Sequence, residues 1–216
     1  MVTGAVVALG IGLSGDAKEP TAEPPEPLAT TLADLEPATM TVARASFCGE
    51  VPTADVEAAV LGGAPSSSAS GSAADSTGTS AEVTGTAYAD GERAAVTADV
   101  TDVAHEFDCT WRTGDGREAR AWVFAPPVTA ERARELATDA ARQQGCRPAA
   151  GLSLGTPGGA VSCPAGKGLA RVTAYALLGD AWLTCSLTGR ASEPPADLVD
   201  RADRWCATVL TAASAQ

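Results

Sequence analysis

Six cysteines constrain the fold of this 216-residue chain more than any other feature of its sequence. They are Cys48, Cys109, Cys146, Cys163, Cys185 and Cys206. No two of them form a C-x-x-C pair, and with His105 as the single histidine no zinc site of ordinary ligand spacing is present. An even number of dispersed cysteines favours disulfides over free buried thiols. We therefore predict a disulfide-stapled domain in an oxidising compartment, with no cofactor.

Residues 171–189 predict a β-hairpin, and residues 195–213 predict a helix that folds over it. A two-residue turn at Gly179-Asp180 pairs Leu178 with Ala181 and places the apolar residues of both arms on one face. The helix carries an apolar stripe, formed by Leu198, Ala202, Cys206 and Val209. Cys185 and Cys206 should therefore meet where the helix covers the hairpin.

A second hairpin is predicted from residues 105–112 and 117–125, because a three-residue loop puts Cys109 opposite Ala121 on the apolar face. A two-residue loop would turn Glu118 and Arg120 toward the core, so we reject it. Asp90-Gly91 signals another hairpin between residues 82–89 and 92–100. Thr53 is the expected N-cap of a helix over 54–61, and Thr129 of a helix reaching about residue 144.

Fifteen connectivities are open to six cysteines, and this layout favours pairing them in sequence order. The predicted pairs are Cys48–Cys109, Cys146–Cys163 and Cys185–Cys206, each joining a helix to a strand. The predicted fold class is α+β: an antiparallel sheet of hairpins, covered by about three helices and stapled by disulfides.

Three segments organise the chain. Residues 1–15 have the apolar character of a signal peptide or signal anchor without its basic start, which a start codon placed too late would explain; a disordered apolar N-terminus on a cytosolic protein is the alternative. Residues 16–39 are rich in Pro and Glu and predict a solvated tether. Residues 40–216 predict a single domain, with a flexible Ser/Gly-rich loop at 64–81.

The charge and the missing motifs exclude several classes of function. A net charge of −12 with dispersed basic residues argues against nucleic acid and against polybasic attachment to lipid. Any membrane contact should run through the N-terminal anchor, if that segment is not cleaved. No nucleophile elbow, phosphate loop or H-E-x-x-H motif is present, and His105 is more simply an edge or packed histidine than a catalytic base.

The four tryptophans divide between core and candidate site. Trp111 and Trp205 are best explained as core, because the chain has few other large side chains. Trp122 and Trp182 fall on the second faces of their strands and are the candidate ligand contacts. We predict no catalytic residues.

Two short segments carry a family resemblance: FCGEVPTADVEAAVLGG, with Cys48 before a short helix ending at Gly62, and CTWR, with Cys109-Thr110-Trp111 on a strand. With the order of elements over residues 45–216, they resemble actinobacterial secreted proteins and lipoproteins of the DUF3558 type. Unlike the lipoproteins, this chain shows no lipobox cysteine near its start. The resemblance implies an envelope location and a sheet covered by helices, and it supplies no activity.

The expected function is therefore that of a non-catalytic envelope domain outside the cytoplasm that binds a small ligand or another envelope protein. A structural or assembly component of the envelope is the alternative. An exported hydrolase is a third hypothesis.

Overall fold

The computed structural model describes residues 28–62, 82–95 and 101–214. Its strands are β1 (Val83–Tyr88), β2 (Arg93–Ala95), β3 (Thr101–Val103), β4 (Glu106–Thr113), β5 (Glu118–Phe124), β6 (Arg147–Pro148), β7 (Gly158–Gly166), β8 (Leu169–Leu178) and β9 (Ala181–Arg190). Its helices are α1 (Thr53–Glu57), which runs on as a π-helical turn over Ala58–Gly62, α2 (Ala130–Ala141) and α3 (Pro195–Ala213). Seven strands form one antiparallel sheet in the order β1-β4-β5-β9-β8-β7-β6. The α+β, disulfide-stapled fold class is confirmed.

The β8–β9 hairpin and α3 form the centre of the core, as predicted. Leu178 pairs with Ala181 across the turn, and Ala174 lies opposite Cys185. Alternation then directs the apolar residues of both strands to one side, which we call the first face, and α3 packs on it with Trp205 and Cys206 fully buried. The predicted limits of this helix, 195–213, are also confirmed.

The β4–β5 hairpin has the predicted register. Cys109 pairs with Ala121, and the Thr113 N–H donates to the Arg117 carbonyl at 3.1 Å, which closes the three-residue loop. β5 then pairs with β9, with Ala121 opposite Cys185, so the two predicted hairpins share one first face. Trp122 lies on the opposite side, the second face.

The hairpin predicted around Asp90-Gly91 is wrong. β1 pairs with β4, with Tyr88 opposite Asp108, whereas β2 pairs with β3 in a separate two-stranded sheet. The Gly91 N–H donates to the Ala104 carbonyl at 2.9 Å, which ties the turn to the residues before β4. The pairing of β1 with β4 overrides the local turn signal, because the edge of β4 forms six residue pairs with β1.

The tether predicted over residues 16–39 is wrong from Leu28 onward. Leu28 and Leu32 are 5% and 4% exposed and belong to the main core. The Leu32 N–H donates to Asp203 on α3 at 3.1 Å, and Arg204 donates to the Leu28 carbonyl at 3.0 Å. Burial of these two leucines holds the Pro/Glu-rich segment against the core, so the folded domain begins before residue 40. The predictions for residues 1–27 and for the loop at 64–81 lie outside the described residues.

The two predicted helix caps have different outcomes. The Thr129 side chain accepts a hydrogen bond from the Arg132 N–H at 3.2 Å, which confirms the start of α2, although α2 ends at Ala141 rather than near 144. Thr53 is already the first residue of α1, and Pro52 stands before it with no side-chain cap. Proline has no backbone N–H to donate, and it is tolerated at this position because the N–H groups at the start of a helix have no partner within the helix.

All three predicted disulfides are present: Cys48–Cys109, Cys146–Cys163 and Cys185–Cys206. They leave no free cysteine and indicate an oxidising, extracytoplasmic environment. In the part of the chain that the structure describes, no helix has both the length and the apolar character of a membrane span.

Asp115 in the β4–β5 loop gives a testable dependence of stability on pH. Hydrogen bonds from the Thr113 hydroxyl and from Arg117, with a third from Arg190, hold the pKa of this carboxyl well below its usual value. Because the folded pKa is depressed, the carboxylate stabilises the fold above pH 4 and loses this effect as the pH falls toward the folded pKa. We expect Asp115→Asn to cost at most about 1 kcal/mol at pH 6, since exposure screens the charge, and less at pH 2.5.

Urea unfolding of both proteins at the two pH values measures this difference. Asp139→Asn, on an exposed face of α2, is the matched control, because its carboxylate has no ion pair to a described residue; its cost at pH 6 should be smaller than that of Asp115→Asn. A cost for Asp115→Asn that is equal at both pH values would contradict the prediction.

Candidate functional site

The second face of the sheet is polar, unlike the first. The structure describes six buried polar or charged residues, and five of them lie on this face: Asp108, Thr110, Glu118, Ser186 and Thr188. The register aligns them in cross-strand rows, one of which runs Arg112–Glu118–Thr188–Arg171. Buried polar groups need partners, so this face is built for hydrogen bonding rather than for packing alone.

Helix α2 covers only the apolar end of the second face. It packs there on a small cluster that includes Val161, Tyr175 and Trp182. The Cys146–Cys163 disulfide joins the segment after α2 to β7. Between α2 and the polar end of the sheet remains a groove of about 860 Å³, lined by strand residues and by the second half of α2.

Both candidate tryptophans line this groove, but they differ in exposure. Trp182 is 4% exposed and stacks on Tyr175, with ring centroids 5.8 Å apart. Trp122 is half-buried, and its ring lies 6.0 Å from that of Phe124. Trp182 therefore forms part of the floor of the groove. The prediction of direct ligand contact now depends mainly on Trp122.

The tryptophans assigned to the core lie on the other side of the sheet. Trp205 is fully buried, and Trp111 meets it edge to face with centroids 5.4 Å apart. The structure agrees with the core assignment for this pair.

One carboxylate fixes the orientation of Trp122. The indole N–H of Trp122 donates to Oε2 of Glu106, and the Tyr88 hydroxyl donates to Oε1 at 2.7 Å. Burial, together with this bond to Glu106, raises the pKa of Tyr88 to about 12, so the hydroxyl stays protonated. Sequence reasoning missed Tyr88 because the strand that carries it was assigned to another hairpin.

Two ion pairs neutralise charges on the second face. Arg120 donates to Oδ2 of Asp108, and Thr110 donates to Oδ1 at 2.8 Å. Burial lowers the pKa of Arg120, but the charge of Asp108 and its hydrogen bond, together with the nearby Tyr88 and Glu106, outweigh this effect, and the pKa lies above its ordinary value. Beside them, Arg112 pairs with Glu118, as the predicted register required. Arg120 and Glu118 both line the groove.

The remaining candidates of sequence reasoning lie elsewhere. His105 is exposed at the start of β4, with Nδ1 3.7 Å from Oδ1 of Asp90, and is not among the groove residues. Within the described ranges no cluster of His, Cys, Asp and Glu is arranged to hold a metal ion.

A larger cavity of about 1040 Å³ lies on another side of the molecule, between residues 31–38, the β6 region and the start of α3. Short apolar side chains and prolines form most of its wall, and it has no aromatic residue. It thus offers fewer orienting groups than the second-face groove, which combines aromatic rings, hydroxyls and charges. Comparison of the chain with protein-family models, curated proteins and solved structures finds no match.

Proposed function

We propose that this chain is a non-catalytic domain of the cell envelope that binds a ligand in the second-face groove. The observation that carries the proposal is the groove itself, in which Trp122 stands beside hydroxyl and guanidinium groups. Small-molecule sites typically combine a concave, largely apolar wall with a few polar groups that orient the ligand. The three disulfides support a position outside the cytoplasm, either secreted or anchored to the outer face of the cytoplasmic membrane.

The charges on the second face favour binding over catalysis. Asp108 and Glu118 each pair with an arginine, and both oxygens of Glu106 accept hydrogen bonds. A general acid or base needs a carboxyl free to exchange its proton with a substrate, and the described groove residue that has one, Asp139, is exposed on α2 rather than held in the sheet. We also propose that the chain is related to the secreted proteins of the DUF3558 type, and that its binding partner is a small ligand or an envelope protein.

A neutral aromatic probe tests the groove. Phenyl naphthylamine becomes fluorescent in an apolar environment, and we expect the disulfide-intact protein to bind it. Trp122→Ala should weaken this binding about tenfold, because it removes the aromatic wall. Fluorescence titration measures both affinities.

Trp111→Ala is the matched control, since Trp111 is also half-buried on the same sheet but faces away from the groove. It should leave the probe affinity unchanged if near-UV circular dichroism shows that the variant is folded. Absence of probe binding, or equal losses in the two variants, would overturn the assignment of the groove.

A structural or assembly role is the second candidate, and one observation favours it. β1 lies at the edge of the sheet, and its central residues Thr84, Gly85, Thr86 and Ala87 are exposed. An exposed edge strand offers backbone groups to another chain. Concentration-dependent association in light scattering, without probe binding, would favour this role.

A further inference from the structure

Arg171 on β8 differs from the other arginines of the second face. Its Nε donates to the Thr188 hydroxyl at 3.2 Å, which fixes the side chain on the groove wall. No carboxylate among the described residues lies within 4.0 Å of its guanidinium, whereas Arg112 and Arg120 each have one. A guanidinium has five N–H donors, so its two terminal amino groups stay available to a ligand.

The acidic groups lining the groove do not form an ion pair with this cation. Glu118 is already paired with Arg112. Glu106, bound by the neutral Tyr88 and Trp122, and Asp139, exposed on the α2 wall, keep their negative charges, but neither lies within ion-pair distance of Arg171. Arg171 is therefore an unpaired positive charge at its own end of the groove, in a protein of net charge −12. Guanidinium binds carboxylate and phosphate in bidentate geometry, which gives such a site a preference for planar or tetrahedral anions.

The aromatic part of the groove lies at a distance that one small molecule can span. Arg171, Thr173 and Tyr175 alternate on the same face of β8, and Tyr175 lies in the cross-strand row of Trp122. Four residues of strand separate the Cα atoms of Arg171 and Tyr175 by roughly 13 Å, and because Trp122 lies two strands further its Cα is about 16 Å from that of Arg171. Thr173 and Ser186 add hydroxyls in the row between the two ends.

We propose that the groove takes a ligand in which an anionic group is attached to a ring-sized apolar body. Arg171 binds the carboxylate, sulfonate or phosphate, and the ring lies against Trp122. This inference rests on the proposed function, because it names the chemistry of the ligand that the groove binds.

Two probes that differ by one anionic group test it. Anilinonaphthalene sulfonate has the aromatic skeleton of phenyl naphthylamine and adds a sulfonate. We expect the sulfonate probe to bind the wild-type protein about tenfold more tightly, as one charge-assisted contact allows. Arg171→Gln should remove this preference and leave the neutral probe unaffected. The preference should also decrease with added salt, because ions screen the guanidinium.

Arg134→Gln is the matched control, since it removes the same charge from an exposed position of α2 outside the groove. It should keep the tenfold ratio. Competition with benzoate and with phenyl phosphate then distinguishes a carboxylate site from a phosphate site. Equal affinities of the two probes in the wild-type protein, or an unchanged ratio in Arg171→Gln, would overturn the anion site. If Trp122→Ala still weakens the neutral probe in that case, the proposed function stands, and if neither probe binds, both fail.

Discussion

Replacing Cys48 and Cys109 together by alanine should lower the free energy of unfolding by about 4 kcal/mol, more than the loop-closure effect of either other disulfide. This bridge closes a sequence separation of 61 residues, whereas the other two close 17 and 21. The entropy that a cross-link removes from the unfolded chain grows with the logarithm of loop length, which gives about 3 kcal/mol for the shorter loops. Urea unfolding under non-reducing conditions measures the loss.

The Cys146→Ala/Cys163→Ala double variant is the suitable comparison. Its two cysteines are half-buried, so little packing is lost with the sulfur atoms. We expect it to remain about 1 kcal/mol more stable than the Cys48/Cys109 double variant, which is the difference between the two loop terms. Equal losses, or the reverse order, would show that loop length does not determine the contribution of these bridges.

Local turn chemistry made the central hairpins predictable. The Gly179-Asp180 turn and the loop over residues 114–116 each fix one register, and alternation then decides which residues share a face. Once both hairpins had a first face, only a few arrangements could bring the cysteines together. The Cys185–Cys206 pair was therefore predictable from secondary structure, and the other two followed from pairing the remaining cysteines in sequence order, although cysteine spacing alone leaves fifteen connectivities open.

Pairings between distant segments were not predictable in this way. The partner of β1 is β4, and nothing in residues 83–88 specifies that edge rather than the strand signalled by Asp90-Gly91. Leu28 and Leu32 likewise lie in a segment whose composition indicates a tether, and their burial depends on α3, about 170 residues later. Local sequence carries no information about such partners until the tertiary structure supplies them.

The same limit applies to the groove. Alternation along β5 placed Trp122 on the second face correctly, and the register placed Arg112 opposite Glu118. The hydrogen bond between Tyr88 and Glu106 depends on the β1–β4 pairing, and it was missed for that reason. Arg171 showed no signal in the sequence, because an unpaired guanidinium is recognised only after the neighbouring carboxylates have been located.

Under the proposed function, the first face of the sheet stabilises the fold and the second face binds the ligand. The first face carries the fully buried core and two of the disulfides, with α3 packed on it. The second carries ion pairs and hydroxyls beside the one helix that covers its apolar end, and the third disulfide lies at its edge. Substitutions in the groove should thus alter ligand affinity at small cost in stability, whereas substitutions under α3 should do the reverse.

Trp205→Ala should test this division with a loss of about 4 kcal/mol in the free energy of unfolding. Trp205 is fully buried on α3 and meets Trp111 edge to face, and its indole N–H donates to the Arg120 carbonyl at 3.3 Å. Alanine would leave a cavity at the centre of the first face and remove the hydrogen bond that the indole donates to β5. Urea unfolding followed by far-UV circular dichroism measures the loss without relying on tryptophan fluorescence.

Two variants separate the contributions. Trp205→Phe keeps most of the apolar volume and loses the indole N–H, so it should cost about 1 to 2 kcal/mol. Trp122→Ala, on the half-buried second-face tryptophan, should cost clearly less than Trp205→Ala because its ring is already partly in solvent. If the two alanine variants lost the same stability, the groove would be as much a part of the core as the first face, and the assignment of separate roles to the two faces would be wrong.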